Sequence, residues 1–97
     1  MNQLEELKNV ILKNKNRLME SYNLKSIGIF GSYIKGEESI NSDLDILVDF
    51  SNPIDLFKFL ELEEELQNIC SLKVDLVSVK SLKPHIGRQI LSEVQYI

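Results

Sequence analysis

The most constraining stretch of the chain is residues 43–50, Asp-Leu-Asp-Ile-Leu-Val-Asp-Phe. Along a β-strand successive side chains point to opposite faces. Read as a strand, the stretch places Leu44, Ile46, Val48 and Phe50 on one face and Asp43 and Asp45 on the other. The apolar face requires a core, so the strand belongs to a sheet with helices packed on that side. The acidic face requires something different. Two adjacent carboxylates repel each other, and a divalent cation is the obvious counter-charge. Hard oxygen ligands suit Mg²⁺, which also keeps waters and substrate phosphates in its shell.

The flanking sequence supplies the rest of such a fold. Residues 3–20 read as a helix with Leu4, Leu7, Ile11 and Leu18 on one face and Val10 beside them, interrupted by Asn14; Asn23 marks a break. Residues 26–30 form a short apolar strand, followed by a sharp turn at Gly31-Ser32. A polar loop then runs from Lys35 to Ser42, with room for one helical turn at 32–35. After the acidic strand, Asn52 is a good cap, Pro53 suits a first helical position and Asp55 sits where a capping carboxylate would. A helix from about 53 to 69 is expected, with Phe59, Leu62, Leu66 and Ile69 as its buried stripe, widened by Leu56 and Leu60. Residues 73–79 form a third strand. Pro84 opens a last helix with Ile86, Ile90, Leu91 and Val94 as its apolar positions. The predicted order is α-β-β-α-β-α, an α+β (mixed α/β) fold with a small mixed sheet flanked by helices. The second and third strands run parallel through a helical crossover, and the first two need not be parallel.

Bulk properties narrow the function classes. With 97 residues the chain is expected to be one domain, 1–97, with little room for a separate substrate domain or lid. A net charge of -4 disfavours a stable partnership with nucleic acid, because phosphate backbones attract a surplus of Lys and Arg. It does not oppose one triphosphate held through metal ions. No apolar run approaches the roughly 20 residues of a membrane helix. The N-terminus is acidic and amphipathic, unlike a signal peptide, so a cytoplasmic location is expected. Cys70, the single cysteine, closes an apolar helical stripe and reads as a small core residue.

Asp75 is a third candidate ligand. It sits in an apolar strand among Val74, Leu76, Val77 and Val79, where an isolated charge is costly, and a parallel neighbour would set it beside Asp43 and Asp45. Three carboxylates at one sheet edge can hold two metal ions about 3.5–4 Å apart, the arrangement that supports in-line phosphoryl transfer. Gly31 lets backbone approach a phosphate, and Ser32 offers a hydroxyl and an N–H at the start of a turn or helix. Plainer readings stand beside these. Asp43 and Asp45 could be solubility charges at a strand edge, and Asp75 could face solvent or pair with Lys73. Asp49 shares their parity but lies farther along the strand and reads as peripheral. His85 reads as a surface histidine. Tyr33 either borders a nucleotide or packs on the sheet. Glu61, Glu63, Glu64 and Glu65 read as a solvated helix face.

The run Gly31-Ser32, ten residues, then Asp43-Leu44-Asp45 resembles the G-S-x10-D-x-D signature of the DNA polymerase β nucleotidyltransferase superfamily. Gly36, Ser42 and Val48 fit the same pattern. Val74-Asp75-Leu76-Val77 is similar to the strand that carries that family's third carboxylate. The ending Ser81-Leu82-Lys83-Pro84, with Ile90-Leu91 and Glu93, resembles the tail of its small bacterial and archaeal members. The chain is most similar to the minimal nucleotidyltransferase group, whose members are typically antitoxins paired with a HEPN-domain ribonuclease toxin. The resemblance implies a polymerase β-like fold and Mg²⁺-dependent transfer of AMP from ATP to a tyrosine hydroxyl of the toxin. It implies that Asp43 and Asp45 bind two Mg²⁺ ions. It gives Asp75 the catalytic metal and a share in deprotonating the acceptor, and Gly31 and Ser32 the triphosphate. Lys35 stands where many members have Arg; it keeps the charge for binding nucleotide but loses the planar fork that grips phosphate bidentately. The alternatives are a non-catalytic binding module that silences its partner by occlusion, and a small-molecule nucleotidyltransferase.

Overall fold

The computed structural model describes residues 2–97 and has a mixed sheet of four strands. The first helix, α1, spans Gln3–Tyr22, two residues longer than its apolar stripe predicts. Asn2 caps it by accepting the Glu5 N–H at 2.9 Å. Asn23 ends it in the left-handed region (φ 55°), donating its N–H to Met19 O, a geometry asparagine tolerates. Asn14, which breaks the apolar stripe, folds back and donates to Val10 O. The first strand, β1, is Leu24–Phe30, and a four-residue helix, α2, comes next at Ser32–Lys35. The acidic strand β2 is Leu44–Phe50 and pairs antiparallel with β1. The helix α3, Leu56–Cys70, then crosses over to β3, Val74–Ser78, which lies parallel to β2 as expected. A 3-10 turn leads to α4, Pro84–Glu93, and the chain closes on a short strand, β4, Gln95–Tyr96, antiparallel to β1.

The even-numbered residues of β2 and the inner faces of α1 and α3 build the core. Leu7, Ile11 and Leu18 of α1, Leu62 and Leu66 of α3, and Leu44, Ile46 and Val48 of β2 are buried together with Ile27, Ile29 and Cys70. Burying each such side chain contributes about 1.5–3 kcal/mol. Tyr22 of α1 and Arg17 both bond Glu65 of α3, and the Tyr22 hydroxyl donates at 2.5 Å, so one buried-edge network joins the two helices. Burial and that bond push the Tyr22 phenol up, and the same bond holds Glu65 below its usual range.

Three expectations need correction. The helix α3 begins at Leu56, not near 53, because Asp55 is itself the cap and accepts the Lys58 N–H at 2.8 Å, leaving Pro53 and Ile54 in the approach. Leu56 and Leu60 do not widen its buried stripe: they are 67% and 49% exposed. On α4, Ile86 and Leu91 are also exposed, while Ile90 and Val94 are half-buried. The strand β4 has no counterpart in the expected order. Among the described residues, no helix is long and apolar enough to cross a membrane.

Candidate active site

Sheet register brings the predicted acids together. Phe30 of β1 lies opposite Asp45 of β2, and Asp45 lies beside Asp75 of β3. Residues paired laterally share a face, so Phe30, Asp45 and Asp75 form a row across the sheet on the side away from the α1–α3 core. Asp43 immediately precedes β2 and is half-buried. Its charge reaches Asp45.

Asp45 is the focus of the cluster. Burial pushes its carboxyl up to about 6, the charges of Asp75, Asp43 and Glu93 add to that, and the N–H of Ser32 opposes it as a hydrogen-bond donor. That N–H is supplied by the turn between β1 and α2. Gly31 adopts φ 78°, ψ -148°, outside the range L side chains favour. A Cβ at Gly31 would also collide with the Asp45 carboxylate. Glycine is therefore required twice over at this position: for the backbone conformation, and for the close approach of the turn to the acid.

Asp75 departs from the expectation in its surroundings. It is exposed, because β3 is an edge strand, so its charge does not carry the desolvation cost the apolar neighbours suggested. It nevertheless faces Asp45. Lys35, at the end of α2, does not stand free toward the site: its Nζ lies 3.4 Å from Glu93 Oε2 of α4. Glu93 adds its own negative charge to the surroundings of Asp45. Sequence reasoning noted Glu93 only within the family-like tail and gave this fourth acid no place at the site. Apart from that resemblance, its signal is an acidic residue ending an apolar helix just before a short β-type segment. Tyr33 is buried in the core, as its packing reading expects. Cys70 is buried with its thiol pushed up to about 11, which makes it an inert core residue.

The donor set is one of hard carboxylate oxygens around a carboxyl that resists ionising alone, and this fits a divalent cation. Among the described residues, no three acidic, histidine or cysteine side chains close into a ready-made metal cage. Mg²⁺ does not demand one, since it completes its octahedron with waters and substrate phosphates.

The family described as polymerase beta nucleotidyltransferase matches residues 5–97. The chain belongs to the polymerase β nucleotidyltransferase family. It is 46% identical over 94 residues to protein adenylyltransferase MntA of Thermococcus cleftensis, covering 97% of this chain and 95% of that protein. A crystal structure of a toxin–antitoxin with AMP-PNP superposes with a TM-score of 0.74 at 28% identity, covering 99% of this chain and 72% of the other. A crystal structure of the toxin–antitoxin MntA–HepT superposes with a TM-score of 0.67 at 26% identity, covering 95% and 69%. The mixed α/β fold expected from sequence is thus the fold of this family, and the chain is a nucleotidyltransferase.

Proposed function

We propose that this chain is a protein adenylyltransferase: it transfers AMP from ATP to a tyrosine hydroxyl of a HEPN-domain toxin and so acts as the antitoxin of the pair. The observation that carries this reading is the lateral row of Asp45 and Asp75, with Asp43 one step away, abutting the glycine turn at Gly31-Ser32. The adenylyltransferase relative, and the solved toxin–antitoxin assemblies that share the fold, support the choice of acceptor. The chain is read as one minimal domain working in the cytoplasm, where ATP and such a toxin would meet.

In this reading Asp43 and Asp45 hold two Mg²⁺ ions and Asp75 holds one of them. The metal would supply charge neutralisation at the α-phosphorus and the departing pyrophosphate. The residues of the chain do the positioning. Gly31 lets the turn approach, the Ser32 N–H stays on Asp45, and the Ser32 hydroxyl holds the phosphates. Lys35 adds a positive charge beside them. Asp75 accepts the phenolic proton as the tyrosine oxygen forms its bond to the α-phosphorus and the bond to the β-phosphate oxygen breaks. Exposure suits Asp75 to this role, because a macromolecular acceptor can reach an edge strand without entering a deep pocket.

The test is transfer of labelled AMP from ATP to the co-expressed toxin in Mg²⁺, with mass spectrometry of the toxin afterwards. Wild type should add mass in AMP increments on tyrosine, and the D43N/D45N double variant should add none. Normal transfer by the double variant would refute the reading. If that variant binds the toxin and still protects cells without transfer, neutralisation is by occlusion.

A further inference from the structure

The pairing of Lys35 with Glu93 has a consequence for nucleotide binding. The two residues come from distant parts of the chain, and each is held firmly. Lys35 ends the single turn of α2, whose first residue, Ser32, donates to Asp45. Glu93 ends α4, and the last four residues of the chain are anchored: Val94 N–H donates to Ile90 O, Gln95 and Tyr96 pair with Ile29 and Gly28, and Ile97 N–H donates to Ile27 O. Gly28 makes that anchoring possible, since a Cβ there would lie 2.7 Å from Val94 Cγ2 and 3.0 Å from the Gln95 carbonyl. The pair bridges α2 and α4 at 3.4 Å, with side chains 39% and 20% exposed, beside an acid cluster that has no other lysine or arginine ion-paired to it among the described residues.

Glu93, whose own charge reaches Asp45, holds the Lys35 ammonium at the margin of the acid cluster. Resting on Asp45 or Asp75, the ammonium would occupy the place of a metal ion. Resting on Glu93, it stays within one helical turn of the phosphate-binding Ser32 and leaves those two acids clear. A triphosphate brings a denser negative charge than one carboxylate and would compete for the same ammonium. We infer that Glu93 is a positioning residue that holds Lys35 until the nucleotide's phosphates displace it, so that the Lys35–Glu93 pair is an intramolecular competitor of the triphosphate. The inference rests on the proposed role of Lys35 at the phosphates.

Calorimetric titration of the full chain with Mg²⁺ and AMP-PNP tests it. E93Q removes the competitor and should tighten binding about three-fold, the scale expected of a partly exposed ion pair. K35M should weaken binding, and adding E93Q to K35M should then change little. E64Q, on the exposed side of α3, controls for net charge and should match wild type. Unaltered or weaker binding by E93Q overturns the inference, as does equal tightening in both backgrounds or by E64Q. Each of these outcomes leaves the nucleotidyltransferase reading standing as long as wild type binds. Absence of wild-type binding overturns both together.

Discussion

Asp45 shows what an acidic cluster costs the residue at its centre. Its carboxyl is raised to about 6, chiefly by burial and then by the acids around it. A carboxyl raised on folding is protonated in the native state at pH values where the unfolded chain has already lost the proton. Its ionisation therefore opposes folding, starting near the unfolded value of about 4 and reaching its full extent above the folded value of about 6. The metal-free protein should gain stability as pH falls from 7 to 5, and D45N should melt a few degrees higher than wild type at pH 7 while abolishing AMP transfer. Mg²⁺ should raise the wild-type melting temperature at pH 7. That increment should shrink as protons compete below about 6 and vanish in D45N. Scanning fluorimetry across pH, with and without Mg²⁺, reads all of these. A D45N protein less stable than wild type at pH 7 would mean that the Ser32 N–H bond, and not burial and the neighbouring charges, dominates the site. Gly31 belongs to the same scale: G31A should lose transfer, since the added methyl needs both a strained backbone and the space of the Asp45 carboxylate.

At the scale of elements, what the sequence disclosed depended on how local the physics was. The parity of Asp43, Leu44, Asp45 and Ile46 is a property of one strand, so the split into a core face and an acid face was legible before any fold was known. The stripe at Leu7, Ile11 and Leu18 and the stop at Asn23 were legible for the same reason. Glu93 was not, because it reaches Lys35 only after β4 pairs with β1, and a two-residue strand at a sheet edge leaves almost no periodicity to read. The start of α3 was misplaced because Asn52, Pro53 and Asp55 all carry cap chemistry, and only tertiary packing chooses among them. Two substitutions probe these elements. D55A removes the bond to the Lys58 N–H and should cost about 1 kcal/mol, lowering the melting temperature by roughly 4–8 °C; N52A should change it little. G28A presses on Val94 and the Gln95 backbone, so it should both destabilise the fold and, by shifting Glu93, alter nucleotide affinity. Chemical denaturation and calorimetry separate the two effects.

The whole molecule is small enough that its substrate becomes a large share of its stability. A domain of this size is stabilised by only about 5–15 kcal/mol, in most cases toward the lower end. Here one layer of side chains between the sheet and the α1–α3 pair supplies the main core, while the opposite face carries Asp45, a half-buried acid whose ionisation works against folding when no cation is bound. A ligand that binds only the native state adds about 2.7 kcal/mol at a hundred times its dissociation constant, which in a 97-residue chain corresponds to a rise of roughly 10 °C or more. The rise should require both components. ATP alone meets a chain of net charge -4 and a surface of unscreened carboxylates, and Mg²⁺ alone lacks the phosphates that would complete its coordination. MgATP should therefore raise the melting temperature by more than the sum of the separate increments, and D43N/D45N should abolish the excess. Simple additivity in wild type would mean that metal and nucleotide bind at separate places, and the shared site built on β1, β2 and β3 would have to be abandoned.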